Sequence, residues 1–89
     1  MKHYKIIVYG RVQGVGFRYD TIRTAGYLGI KGFVKNQPDG SVYIEAEGEH
    51  EQLTEFTNWC KKGTNFAYVD DILVEEGALK NFNSFDVRY

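Results

Sequence analysis

The residues whose types and spacing could do chemistry lie between Gly10 and Arg18, in the run Gly-Arg-Val-Gln-Gly-Val-Gly-Phe-Arg. Two of its glycines flank a single valine, so the backbone can adopt bends that are closed to other residues. Successive N–H groups in such a bend form a concave anion site, and a helix that begins there adds a favourable dipole. The Arg18 guanidinium would add donors that match phosphate oxygens. The run therefore predicts a phosphate-binding loop. Its predicted phosphate-binding residues are Gln13, Gly14, Val15, Gly16, Phe17 and Arg18.

This loop offers a bound phosphate no covalent nucleophile, because Arg11 to Arg18 contains no Ser, Thr, Cys, Asp, Glu or His. It also departs from two known phosphate motifs. The dinucleotide fingerprint needs a third glycine where this chain has Tyr19, and the nucleotide P-loop needs a Gly-Lys-Ser/Thr sequence that is absent. The one cysteine, Cys60, falls on the predicted core face of a helix. Two possibilities remain for a phosphate bound to this loop: direct attack by water, or binding without a reaction.

Asn36 is the residue we expect to position that water, because it ends a predicted strand near the loop side of the sheet. A carboxamide oxygen can accept a hydrogen bond from water and so direct the lone pair of the water toward phosphorus, but it is no base near neutral pH. Without an evident general acid, the leaving group must depart unaided. A carboxyl–phosphate anhydride expels a carboxylate, which needs no proton. The residues therefore favour an acyl phosphate as substrate.

The elements that must position these residues follow from hydrophobic periodicity and turn signals. The Gln37-Pro38-Asp39-Gly40 run predicts a turn between strands two and three. The order is β-α-β-β-α-β with a short final strand, which predicts an α+β, ferredoxin-like sandwich with two helices on one face of an antiparallel sheet. The predicted elements are strand one from Tyr4 to about Val12, helix one from Arg18 to about Leu28, strand two from Lys31 to Gln37, strand three from Ser41 to Ala46, helix two from about Glu49 to Lys62, strand four from Asp70 to Glu75, and a last strand containing Phe85, Val87 and Tyr89.

The same patterns predict which side chains are buried. We expect Ile72 and Val74 to face the core, and His3 and His50 to be exposed and without a role. The predicted core stripe of helix two is Leu53, Phe56, Thr57 and Cys60.

Composition limits the class of protein and its partners. At 89 residues, with 43% hydrophobic residues, the chain is expected to form a single domain over 1–89. A net charge of −1 gives no electrostatic case for binding nucleic acid or a membrane. The single cysteine favours a reducing compartment, and without a signal peptide we expect the cytoplasm. No oligomer interface is evident, so a monomer is expected.

With these residues in view, the chain resembles an acylphosphatase over essentially all of its 89 residues. The run Gly10 to Arg18, together with a following Gly-x-Val-x-Asn, is the most specific part of the resemblance. Further matches are Ala25, Leu28-Gly29, Gly32-Phe33-Val34-Lys35-Asn36, Pro38-Asp39-Gly40, Val42, Glu47-Gly48, Gly63, Ala67, Val69, Phe85 and Tyr89.

The resemblance implies a ferredoxin-like enzyme that hydrolyses acyl phosphates to a carboxylate and inorganic phosphate, with no metal or cofactor. It places the family's catalytic, phosphate-binding arginine on Arg18 and its water-positioning asparagine on Asn36. It places the phosphate-binding amides on the loop from Gln13 to Arg18.

Three positions depart from the family pattern. Asp20 replaces a bulky apolar residue, and we expect it to face outward, where it could pair with Arg23. Thr64 replaces a proline, which we expect to loosen the connection to strand four. Phe33 replaces a tryptophan. None of these changes removes a predicted catalytic group.

Two other functions fit parts of the sequence. RNA-recognition modules share the topology, and Lys31-Gly32-Phe33-Val34 faintly echoes one of their strand motifs, although on a different strand. A non-catalytic phosphate- or carbamoyl-phosphate-binding domain of this type occurs inside larger hydrogenase-maturation proteins. Because this chain begins with Met1 and ends with the last strand, a free-standing enzyme is the more natural expectation.

Overall fold

Five strands and two helices follow one another in the predicted order in the computed structural model, which describes all 89 residues. The sheet order is β4-β1-β3-β2-β5, and every neighbouring pair is antiparallel except β2 and β5. The ferredoxin-like α+β prediction is thereby confirmed. The elements are β1 (Lys2–Arg11), α1 (Phe17–Leu28), β2 (Lys31–Asn36), β3 (Val42–Gly48), α2 (His50–Lys62), β4 (Tyr68–Gly77) and β5 (Phe85–Arg88).

The apolar core lies between the two helices and one face of the sheet. Alternation along two of the three inner strands places Ile6 and Val8 of β1 beside Ile44 and Val42 of β3, and all four are fully buried. The helices supply the other side of this core through Phe17, Ala25, Leu53, Phe56 and Cys60. Three residues of the predicted α2 stripe are therefore buried, whereas Thr57 is only half-buried.

Val74 faces the core side of the sheet, as predicted, but it is not buried there. Val74 pairs with Ile6 and so shares its face, yet it remains 41% exposed. The reason is its place on β4, an edge strand with a neighbour on one side only. Ile72, further along the same strand, is half-buried against the core.

The opposite face of the sheet is covered in part by a segment without regular structure, residues 78–84, which we call the strap. Beneath it lies His3, which was expected to be exposed and is completely buried. Its Nδ1 lies 2.7 Å from the Glu47 carboxylate and its Nε2 lies 3.1 Å from Glu45. The exposed-histidine prediction failed because the strap returns to β1 and β3 from far along the chain. His50 is exposed, as predicted.

Three chain segments meet at one end of the sheet and define the site. β1 ends at Arg11, β2 ends at Asn36, and α1 begins at Phe17. The turn after β2 forms as predicted, with the Gly40 amide donating to the Gln37 carbonyl at 3.1 Å. No helix is both long and apolar enough to cross a membrane.

Candidate active site

The segment Val12–Gly16 joins β1 to α1 and forms the predicted loop. Gly14 and Gly16 have φ angles of 72° and 77°, a left-handed conformation that glycine adopts without steric cost. No atom lies within 4 Å of a Cβ built on either residue, so the conformation, not a lack of space, calls for glycine. Gly16 is also the N-cap of α1 and provides no side chain to cap the helix.

The backbone amides of this loop are left without protein partners. None of the N–H groups from Gln13 to Tyr19 donates to a backbone carbonyl or a side chain; the Asp20 amide, which donates to the Gly16 carbonyl at 3.1 Å, is the first that does. A helix whose first amides are free presents donors and the positive end of its dipole. The loop and the first turn of α1 together therefore offer a run of free donors to an anion.

Arg18 and Asn36 line the same pocket as the two loop glycines. The pocket has a volume of about 270 Å³, and Ile22, Val87 and Tyr89 form an apolar part of its wall. The structure thus brings the two predicted catalytic side chains and the loop together. Arg18 takes part in no ion pair, so no acidic side chain neutralises its guanidinium. Its Cζ lies 5.4 Å from the centre of the Tyr89 ring.

The Asn36 carboxamide oxygen is buried and has no hydrogen-bond partner in the protein. A buried oxygen of this kind costs about 1–3 kcal/mol unless something donates to it. Because Asn36 ends β2 beside the loop, the fold holds this acceptor at the edge of the pocket. A water bound there would satisfy it.

The side chain of Gln13 has a structural role that the sequence analysis did not identify. Its Nε2 donates to the carbonyls of Gln37 and Ser41, at 2.8 and 2.9 Å. These bonds tie the first part of the loop to the β2–β3 turn, just beyond Asn36. The contribution predicted for Gln13, its backbone amide, remains free because only the side chain is engaged.

Thr64 ties the loop from its other side. Its hydroxyl donates to the Val15 carbonyl at 2.9 Å, across 49 positions of sequence. The threonine thereby adds a hydrogen bond to the loop that a proline could not make, and the expected loosening of the connection to β4 stays a prediction. Nothing in the sequence pattern indicates this contact.

Two other side chains behave as predicted. The Asp20 carboxylate lies 3.6 Å from the Arg23 guanidinium and does not line the Arg18 pocket. Cys60 is fully buried, and this burial raises the pKa of its thiol far above the usual range, so it offers no thiolate nucleophile. No group of three or more His, Cys, Asp and Glu side chains is arranged to hold a metal ion.

Comparison with known proteins gives one consistent answer. The sequence model of the acylphosphatase family matches residues 4–87. An acylphosphatase from Ligilactobacillus salivarius is 53% identical over 90 residues, which span 100% of both chains. The crystal structure of an acylphosphatase from Bacillus subtilis superposes with a TM-score of 0.97 at 44% identity, again over 100% of both chains.

The same fold also occurs within a longer protein. The crystal structure of T. kodakarensis HypF matches with a TM-score of 0.87 and 33% identity, over 100% of this chain but only 12% of that one. The two full-length matches and the family model agree on one assignment. This chain belongs to the acylphosphatase family.

Proposed function

We propose that this chain hydrolyses the carboxyl–phosphate bond of acyl phosphates by direct attack of water, with Arg18 and Asn36 as its catalytic residues. One observation supports this most strongly. The loop glycines line the same pocket as Arg18 and the partnerless Asn36 oxygen, and the loop amides have no protein acceptor.

The phosphoryl group would occupy the loop, with the amides from Gln13 to Arg18 donating to its oxygens. The transition state of phosphoryl transfer spreads charge over the three equatorial oxygens. Donors that are fixed before the reaction stabilise that charge without reorganising. The Arg18 guanidinium adds a full positive charge that no carboxylate offsets.

The attacking water would donate a hydrogen bond to the Asn36 oxygen, which turns its lone pair toward phosphorus. A bond forms between the water oxygen and phosphorus, and the bond from phosphorus to the carboxyl oxygen breaks. The electron pair leaves with the carboxylate, and the water proton passes to a phosphate oxygen or to solvent. No general acid is required, because a carboxylate is stable unprotonated near neutral pH.

We propose that no metal or other cofactor takes part, since Arg18 and the amides already supply the charge stabilisation that such a group would give. We also propose that residues 1–89 act as one domain and as a monomer. A single, buried and unpaired cysteine, Cys60, supports a reducing compartment such as the cytoplasm.

The RNA-binding alternative lacks support from the sheet surface. Phe33, the aromatic residue of the motif that suggested it, is only 5% exposed. Phe82 of the strap packs edge-on against it, and the Arg88 guanidinium lies 3.8 Å from its ring centre. A base could not stack on this ring without displacing both residues.

The assay that tests the proposal measures hydrolysis of benzoyl phosphate, with inorganic phosphate as the competing ligand. We expect turnover well above the spontaneous rate, competitive inhibition by phosphate, and no change on adding a metal chelator. Phosphate binding without turnover would instead support a binding-only module. A rate that falls with the chelator would contradict the metal-free proposal.

A further inference from the structure

In-line attack fixes where the acyl portion of the substrate must lie. The attacking oxygen, phosphorus and the leaving oxygen are collinear, so the leaving group points away from the water. If Asn36 holds the water, the acyl group must extend from the phosphorus on the side opposite Asn36. This step rests on the proposed function.

A second, open groove lies against the loop. It has a volume of about 680 Å³ and shares Gly14 and Gly16 with the Arg18 pocket, but neither Arg18 nor Asn36 lines it. The two spaces therefore adjoin at these glycines, and Asn36 lies on the first of them only. We call this space the outer groove.

Two side chains of the outer groove could recognise an acyl group. Phe66, in the turn between α2 and β4, is 80% exposed, so its ring is open to contact by a ligand. Arg11 is exposed at the end of β1, where it pairs with Tyr68, and it takes part in no ion pair. An apolar ring and a free guanidinium thus lie on the same short groove.

The turn that carries Phe66 is hydrogen-bonded to the loop through Thr64. The Ala67 amide donates to the Thr64 carbonyl at 3.1 Å, which closes the turn that displays Phe66. The hydroxyl of Thr64 in turn bonds the Val15 carbonyl of the loop at 2.9 Å. The ring and the anion site are therefore linked through one residue, as a subsite for a single bound molecule requires.

We propose that the outer groove is the acyl-binding subsite, and that it favours acyl phosphates with an aromatic or extended apolar acyl group bearing an anionic substituent at its far end. The acyl chain packs on the Phe66 ring, and the distal anion pairs with Arg11. Small acyl groups gain little from either contact.

The test compares three substrates: acetyl phosphate, benzoyl phosphate and 4-carboxybenzoyl phosphate. For Phe66→Ala we expect KM for benzoyl phosphate to rise about fivefold, since an exposed ring buries only part of its area against the substrate, while acetyl phosphate changes by less than about twofold. For Arg11→Gln we expect KM for 4-carboxybenzoyl phosphate to rise about threefold at low salt, while benzoyl phosphate is unaffected. Competitive inhibition by inorganic phosphate should not change in either variant.

Matched controls remove the same side-chain types elsewhere on the surface. Tyr27→Ala deletes an exposed aromatic residue on α1, and Arg23→Gln deletes an exposed arginine. Neither should alter selectivity among the three substrates. The subsite proposal is overturned if Phe66→Ala raises the KM for all three substrates equally. It is also overturned if the selectivity among them changes instead in Tyr19→Ala, whose side chain lines the Arg18 pocket. If the unsubstituted protein hydrolysed none of the three substrates, the proposed function would be contradicted, which is a different result from the loss of selectivity that would contradict the subsite.

Discussion

The predicted phosphate-binding loop and the strap differ in the partners of their backbone amides. In the strap, the Lys80 and Phe82 amides both donate to the carboxylate of Glu47, a residue of β3 that is itself buried. In the loop, the amides from Gln13 to Tyr19 donate to nothing in the protein. The chain therefore supplies an internal anion where the amides have a structural role. It supplies none where we propose that the amides bind a ligand.

The balance of forces at the strap explains why a buried carboxylate is stable there. Burial alone would raise the pKa of Glu47, but hydrogen bonds from the strap amides and from His3 outweigh it and hold that pKa below its usual value. The pKa of Glu45 is also lowered, because the hydrogen bonds from Lys80 and Tyr43 outweigh the opposing effect of burial. The loop amides have no carboxylate of this kind as a partner, and the loop glycines Gly14 and Gly16 are exposed to solvent.

The largest expected effect comes from removing the one charge of the loop site. Arg18→Ala should lower kcat/KM for benzoyl phosphate by about 1000-fold, because the charge stabilisation of the transition state is lost. Inhibition by inorganic phosphate should weaken in parallel, and the melting temperature should stay within about 2 °C, since Arg18 has no ion pair to lose. Arg23→Ala is the matched control. A fall in stability comparable with the fall in activity would mean that Arg18 is a structural residue.

Asn36→Ala tests the water-positioning role separately from phosphate binding. We expect kcat to fall about 100-fold, while the inhibition constant of phosphate changes by less than about twofold. The buried Asn36 oxygen has no protein partner, so the substitution breaks no hydrogen bond of that atom. Weaker phosphate binding with an unchanged kcat would show that the assignment is wrong.

Removing the internal anion should affect stability rather than catalysis. Glu47→Ala leaves two amides and His3 without their acceptor, and we expect a loss of about 3 kcal/mol in the free energy of unfolding. Urea denaturation gives this value, and kcat/KM measured on the folded variant should change by less than about threefold. A large loss of activity in folded Glu47→Ala would remove the distinction between the two regions.

The same carboxylates predict how stability depends on pH. Because the folded pKa values of Glu47 and Glu45 lie below their ordinary value of 4.5, the stabilisation is complete above pH 4.5. It is lost as the pH falls below 4.5 through the folded pKa values. Urea denaturation at pH 7 and in steps down to pH 3 should show this loss, and Glu47→Gln should show less of it. An identical acid dependence in that variant would contradict the role of Glu47.

The smallest expected effect concerns the tether between Thr64 and the loop. Thr64→Val keeps the shape of the side chain but removes the hydrogen bond to the Val15 carbonyl. We therefore expect the inhibition constant of phosphate and the KM of the substrate to rise together by about fivefold. Thr64→Ser keeps the hydroxyl and should restore both values. Equal losses in the valine and serine variants would indicate packing rather than the hydrogen bond.

The parts of the fold that the sequence predicted are those with a regular local pattern. Strand β1 contains a short apolar run and β3 alternates apolar and polar residues. Helix α2 has an apolar stripe, and the turn before Ser41 has its typical residues, so the fold was predictable. The two glycines before Arg18 predicted the loop because their conformational freedom is a local property. Asn36 was found through its place at the end of a strand.

Contacts between distant parts of the chain were not predictable in this way. Glu45 and Glu47 alternate with core residues and therefore resemble residues of a solvent-facing strand surface. Only the strap, which returns from more than thirty positions away, buries them with His3. The Thr64 bond to Val15 is of the same kind, since no local pattern records it.

The most direct test of the account follows the backbone amides themselves while phosphate is added. Two-dimensional ¹H–¹⁵N NMR spectra should show saturable shifts of the amides from Gln13 to Arg18 with one common dissociation constant, while the Lys80 and Phe82 amides stay in place. Loop amides that do not respond to phosphate, or strap amides that shift with the same dissociation constant, would contradict the central claim.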